Sequence, residues 1–205
     1  MENLAQTNLT FYIVTYLIAS IPFGLILAKV FAGVNIQNSG SGNIGATNVL
    51  RVVKETNPKL VKKLGAITLI LDALKGAVIL LVAKYFIEVP ESTLWAIFVL
   101  AVIGHIFSIF LMFEGGKGVA TGLGVSFVML PIESLIALTV WFIIGKVLKI
   151  SSLSSLIALL SLFASSFFIA PDITHVPIGL ITFFIIYKHI PNIERIIRGE
   201  ETKVI

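Results

Sequence analysis

The chain has 205 residues, of which 57% are hydrophobic and only 13% charged, against about 25% charged in an average soluble domain. A mean hydropathy of +1.03, spread along nearly the whole length, excludes a single core wrapped in a polar surface and makes the bilayer the expected solvent. The lack of cysteine and the three scattered histidines exclude disulfide scaffolds, iron–sulfur clusters and thiolate zinc sites and predict no metal centre, while the net charge of +4 poses a question of placement.

In chain order, apolar runs able to cross about 30 Å of hydrocarbon lie at 9–31, 64–86 and 94–113, with a shorter last run at 178–190. The first has no basic residue before it and no small-residue cleavage site after it, so it reads as a helix and not a signal peptide. Pro22-Phe23-Gly24 predicts a kink in it. A further apolar stretch, 123–150, is interrupted by Pro131 and Glu133, and another, 153–170, ends at Pro171-Asp172.

Short loops rich in Lys and Arg stay cytoplasmic. Basic clusters fall at 51–63, at Lys117, at Lys146 with Lys149 and at 188–203, whereas the loops 88–92 and 171–175 carry acids and no Lys or Arg. Reading 123–150 as one helix sends Lys146, Lys149 and the basic tail outside, so the break belongs at Pro131. The prediction is an all-α integral membrane protein, a single polytopic domain over 1–205 with about seven transmembrane helices, N-terminus outside and C-terminus cytoplasmic. It places all 15 Lys and Arg except Lys84 on the inner half. The fourth segment, 121–130, rises only about 15 Å, which fits a tilted or re-entrant piece whose ends are covered by protein or by a wet cavity. Polar sequence is left in cytoplasmic loops near 36–63, 114–122, 150–155 and 188–205.

In the first of these loops Gly40, Gly42 and Gly45 let backbone amides approach an anion, and Ser39, Ser41, Asn43, Asn48 and Arg51 add directed donors. The glycine spacing matches a dinucleotide fingerprint, but no βαβ unit is available to carry it. A flexible connector is the alternative. In the second, Gly115-Gly116-Lys117-Gly118 precedes the short fourth helix, where free amides and the helix dipole favour phosphate. Gly118 stands where a Walker loop needs Ser or Thr. Here the alternative is tight turning at the membrane surface, with Lys117 as a topological charge. In the third, His189 is the one histidine expected at the inner surface, beside Lys188, Asn192 and Arg195. A basic amphipathic tail on anionic headgroups is its plainer reading. His105, within the third helix, and His175, in an outer loop, are expected to be structural or solvated.

Asp72 and Lys75 share one face of the second helix. A charge at mid-helix costs roughly 2.5–3.5 kcal/mol, so the pair is expected to face the bundle interior, as a self-neutralising pair or with Lys75 reaching an inward-opening cavity. Ser151, Ser152, Ser154 and Ser155 are expected to cap the sixth helix, or to add donors to the same site. Together the clusters favour ligands carrying phosphate over protons or metal cations, with room among helices for an acyl chain. A transporter of phosphorylated solutes would call for paired repeats and a midplane site, and neither is visible.

Ser39 to Asn43 with Gly45 to Arg51, then Leu71-Asp72-Ala73-Leu74-Lys75-Gly76, Gly104-His105, Gly115 to Thr121, and Lys188-His189 with Asn192-Ile193 and Arg195 together resemble the bacterial acyl-phosphate:glycerol-3-phosphate acyltransferase family, PlsY, in order over nearly the whole chain. Glu114 departs from the lysine common there, which argues against a phosphate role at that position. The resemblance implies a multi-pass enzyme of the bacterial cell (inner) membrane with its active site facing the cytoplasm. The implied reaction moves a fatty acyl group from acyl phosphate to the 1-hydroxyl of glycerol 3-phosphate, giving lysophosphatidic acid and phosphate in the first step of phospholipid synthesis. No cofactor, nucleic acid or obligatory protein partner is implied beyond the two substrates and membrane lipids. The resemblance assigns catalysis to His189, Arg51, Ser41, Lys117 and Asn192. It assigns substrate binding to Ser39, Gly40, Gly42, Asn43, Gly45, Thr47, Asn48 and Lys75, and to Gly115, Gly116, Gly118, Thr121, Ser155 and Arg195. Whether His189 is the general base or a phosphate ligand stays open.

Overall fold

The computed structural model describes residues 2–203, which are all-helical, with ten α-helices among them. Helix α1 (Glu2–Ala19) and helix α2 (Phe23–Ala32) form one apolar span over Ala5–Ala32. The kink expected at Pro22 is a full break, since proline has no N–H with which to continue the ladder. Gly33, with φ +68°, ends α2 and donates its N–H to Ala28 O.

The segment 36–63, expected as a loop, is corrected by the structure. It holds a short 3₁₀ turn (Ile36–Asn38) and helix α3 (Ala46–Thr56). Val49, Val52 and Val53 recur at helical spacing and bury against Ala28, Ile36, Ile44 and Leu64, while Lys54 and Glu55 face outward. The polar motif that opens α3 hid this short amphipathic helix. Helix α4 (Val61–Tyr85) and helix α5 (Glu91–Ile106) follow, and α5 ends earlier than the apolar run that predicted it.

Helix α6 (Val119–Met129) is the short fourth segment, at 11 residues. It packs backbone to backbone on α4: a Cβ on Gly124 would lie 2.1 Å from Ala73 O. Its C-terminal carbonyls lack helical partners, and Lys84 Nζ donates to one of them, Val128 O, at 3.2 Å. Burial of Leu130 seals that end. This is how a half-length helix is tolerated at membrane depth.

Helix α7 (Pro131–Leu148) begins on Pro131, as the break there predicted. A tight turn at Lys149 and Ile150 leads to helix α8 (Ser151–Ile169). The expected serine cap is absent. Ser154 and Ser155 instead donate to Ile150 O and Ser151 O one turn back, at 2.8 and 2.9 Å. Helix α9 (Val176–Lys188) is followed by helix α10 (Ile190–Ile197), bent 58° from it, so the tail near 188–205 is also partly helical.

Five segments are long and apolar enough to cross a membrane alone, and α9 with α10 makes a sixth as a bent pair. The core joins α4, α5, α6 and α9 through residues such as Leu80, Phe98, Val125 and Ile181. Large apolar side chains left outside, among them Phe168 and Val147, form the surface that lipid covers.

Candidate active site

The three polar clusters meet at one end of the bundle, around a cavity of about 430 Å³. Its first wall is the segment from Gly40 to Arg51, tied down by one side chain. Buried Asn48 donates from Nδ2 to Ile36 O (2.9 Å), Ser39 O (3.1 Å) and Asn43 O (2.8 Å), and its Oδ1 accepts from Ser41 N at 2.8 Å. Gly40, with φ +63°, passes so close that a Cβ there would meet Asn48 Oδ1 at 2.3 Å. The flexible-connector alternative therefore fails: the loop is knotted, and it presents Ser41, Thr47 and Arg51 to the cavity.

The first turns of two helices face the same space. Ala46 and Thr47 open α3, and Ser151 and Ser152 open α8; all four line the cavity, and Thr47 Oγ1 lies 3.2 Å from Ser151 Oγ. First-turn amides and two helix dipoles make that corner attractive to anions.

The opposite wall carries Lys117, His189, Asn192 and Arg195. Lys117 Nζ donates to Asn192 Oδ1. Burial, reinforced by Arg195, Arg51 and Lys188, lowers the Lys117 pKa to about 8 although Glu201 opposes this. His189 Nδ1 sits 2.7 Å from Ile185 O. A carbonyl only accepts, so this nitrogen carries the proton and Nε2 is left with the lone pair when the ring is neutral.

Glu201 closes the site. Its Oε1 accepts from Ser152 Oγ (2.7 Å) and Asn192 Nδ2 (2.6 Å), and its Oε2 accepts from Arg195 Nε at 2.6 Å. Burial opposes ionisation, but these hydrogen bonds outweigh it and lower the Glu201 pKa. Beside it Arg51 Nη2 donates to Thr202 Oγ1 at 2.9 Å.

Ser41, Arg51, Lys117, His189 and Asn192 thus share one cavity, with Gly40, Asn43, Gly45, Thr47, Asn48, Gly118, Ser155 and Arg195. Six other expected residues, Ser39, Gly42, Lys75, Gly115, Gly116 and Thr121, do not line it. Gly42 N donates to Ser39 O within a turn. The amides of Gly115 and Gly116 are not free for phosphate, because they donate to Ile106 O (2.9 Å) and His105 O (3.0 Å). Thr121 Oγ1 donates to Asp72 O at 2.8 Å, between α4 and α6. Lys75 is buried and donates to Asp72 Oδ1 (3.0 Å) and Ile21 O (3.1 Å); Asp72 reaches the cavity wall and Lys75 does not.

A second, apolar pocket lies among α6, α7, α8 and α9, lined by Gly122, Ala137, Ala158, Leu162, Ile181 and others. Val119, Leu123, Leu138, Trp141 and Ser155 border both it and the polar cavity.

The sequence pattern of the family described as "Glycerol-3-phosphate acyltransferase" matches residues 9–199. The chain belongs to this family. Proteins named glycerol-3-phosphate acyltransferase from Sulfurimonas denitrificans and Aliarcobacter butzleri are 60% and 59% identical to it, over 100% of both chains in each case. Crystal structures of PlsY, an integral membrane glycerol 3-phosphate acyltransferase, match in the glycerol 3-phosphate form (TM-score 0.86, 38% identity) and the lysophosphatidic acid form (TM-score 0.83, 36% identity). Each covers 96% of this chain and 95% of the crystallised one.

In this acyltransferase-family chain, reading by sequence missed Glu201, Asp72 and His105 as cavity residues. Glu201 is one of three acids in the tail, with Glu194 and Glu200, and no local pattern singles it out. Asp72 and His105 were placed inside helices, and nothing in their spacing shows that two helices aim them at one cavity. Among the described residues, no three His, Asp or Glu side chains gather as metal ligands.

Proposed function

We propose that the chain is a membrane acyltransferase that moves a fatty acyl group from acyl phosphate to the 1-hydroxyl of glycerol 3-phosphate. The single observation that carries the reading is the common wall between a cation-lined cavity and an apolar pocket, which suits one phosphorylated ligand and one that is part phosphate, part hydrocarbon. The matched crystal structures, with glycerol 3-phosphate and with lysophosphatidic acid, support it. The chain acts as a single polytopic domain whose basic end, and hence whose site, faces the cytoplasm of a bacterial inner membrane, with the N-terminus outside, in line with the Lys and Arg asymmetry.

An acyl phosphate is already an activated anhydride, so orientation and charge stabilisation can carry the step. Arg51, Lys117 and Arg195, with the first-turn amides of α3 and α8, hold the two phosphates despite their mutual repulsion. His189 Nε2 accepts the hydrogen bond of the attacking hydroxyl. The new bond joins that oxygen to the acyl carbon, the bond from the acyl carbon to the phosphate oxygen breaks, and the hydroxyl proton ends on the departing phosphate. The products are lysophosphatidic acid and inorganic phosphate.

The purified protein in detergent or lipid mesophase, with no sealed compartment, is expected to release phosphate from palmitoyl phosphate only when glycerol 3-phosphate is present. Release indifferent to glycerol 3-phosphate, or none, overturns the reading.

Two further outcomes follow from the geometry. Because the Lys117 pKa is lowered to about 8, its charge is present below that pH and lost above it. The KM for glycerol 3-phosphate is therefore expected to rise by up to about tenfold per pH unit beyond pH 8, and Lys117→Arg should flatten that rise. A pH series of initial rates on both proteins checks this. Ala158→Leu adds bulk to the apolar pocket; excluding about three methylenes at ~0.8 kcal/mol each weakens long-chain donors by roughly 50-fold. Short-chain acyl phosphates should be spared, as a chain-length series of KM values will show.

A further inference from the structure

His105 is the cavity histidine that the proposed reaction leaves unused, and its surroundings are unusual. It lies in the last turn of α5 and is 4% exposed. Its Nδ1 has no hydrogen-bond partner among the described residues and lies 3.7 Å from Asp72 Oδ1. Asp72 is itself held by Lys75, which also donates to Ile21 O at the break between α1 and α2. On its other side the imidazole abuts the loop that carries Lys117. A Cβ on Gly116 would lie 2.1 Å from His105 Nε2, and one on Gly115 would lie 2.1 Å from His105 O. The same loop is pinned to the end of α5 by Gly115 N to Ile106 O and Gly116 N to His105 O. Its far side enters α6, which Thr121 ties to the backbone of Asp72.

The residues therefore lie in sequence from Lys75 to Asp72, His105, Gly116 and Lys117, and on to Asn192, with His105 packed against both Asp72 and the Gly116 backbone. Glycine at 116 is required because the ring occupies the place of a side chain. Glycine at 115 is required because a carbonyl does. The two glycines, once their amides are accounted for, serve as the seat for His105 and not as a phosphate cradle.

We propose that His105, packed beside Asp72, is a positioning residue: its imidazole sets the backbone of 115–118 and so aims Lys117 into the cavity. This rests on the acyltransferase reading for its kinetic consequence but not for its structural one. A displacement of about 1 Å at a charge that holds substrate costs on the order of 100-fold in rate.

The test is a size exchange. His105→Asn shortens the ring and vacates the space beside Gly116, and Gly116→Ala fills it. In His105→Asn, kcat/KM for glycerol 3-phosphate is expected to fall by about 100-fold while KM for palmitoyl phosphate moves less than about twofold. Amide hydrogen exchange across 115–118 should quicken by about tenfold with peptides from α8 unchanged. Gly116→Ala alone should lose activity to a similar degree, and the double variant should regain about tenfold over either single one. Unchanged exchange at 115–118, exchange quickened throughout the chain, or a double variant no better than Gly116→Ala overturns the proposal. If the wild-type protein shows no turnover that depends on glycerol 3-phosphate, the functional reading fails, and the exchange measurement still decides whether His105 sets the loop.

Discussion

Arg51→Ala is expected to remove about three orders of magnitude of glycerol 3-phosphate-dependent turnover while leaving the fold intact. The residue sits on α3, whose buried face is made by Val49, Val52 and Val53, so the helix does not need the guanidinium for packing. Only one of its five N–H donors is engaged among the described residues, by Thr202, and the rest of the planar fork is available for a phosphate. Charge-assisted, bidentate contacts of this kind are the strong class of hydrogen bond. Arg51→Lys keeps the charge but loses the fork, so it should fall between the two, at about a 10- to 100-fold deficit. Initial rates with both variants, beside a thermal scan in the same detergent, decide the matter. Turnover within tenfold of wild type in Arg51→Ala would remove it from the site.

Asp72→Ala is expected to be the most destabilising single change at a polar position. The carboxylate and Lys75 lie 3.0 Å apart, with side chains 3% and 1% exposed, in a helix the chain sends through hydrocarbon. Removing one member of such a pair strands the other, at a cost of about 3–5 kcal/mol. Replacing both, as in Asp72→Ala with Lys75→Met, removes the stranded charge and should recover most of that loss. Unfolding in a fixed detergent, followed for both single variants and the double, gives the coupling directly. A double variant as unstable as Asp72→Ala would show that the ion pair is not what makes the site sensitive.

Most of the architecture could be read from the chain because lipid-spanning helices are written as long uniform runs. Pro131 and the basic residues at Lys146 and Lys149 together were enough to divide 123–150 into α6 and α7. Helix α3 escaped because its apolar stripe is only three valines, set behind a polar motif that reads as a loop. The tail escaped for a different reason. Contacts such as Ser152 with Glu201 join residues far apart in sequence, and no local pattern encodes them.

The site divides along the same line. Arg51, Lys117, His189 and Asn192 stood out because polar residues are scarce in so apolar a chain, and the structure brings them to one cavity. The amides of Gly115 and Gly116 were misread because glycine is equally compatible with a ligand, a turn or a neighbouring side chain. Only packing shows that the neighbour is His105. The four serines at the start of α8 were read first as caps because hydroxyls at a helix start usually serve that way, whereas Ser154 and Ser155 bond back along the helix and Ser151, Ser152 and Ser155 line the cavity.

The wall shared by the polar cavity and the apolar pocket also sets the units in which substrate supply is counted. A ligand that reaches the cations through water is governed by its molarity. One whose tail occupies the neighbouring pocket arrives from the bilayer and is governed by its number per lipid. Under the acyltransferase reading, adding inert lipid at constant volume slows the protein by surface dilution with respect to one substrate and leaves its response to the other untouched. Membrane area thereby enters the rate law as a variable in its own right.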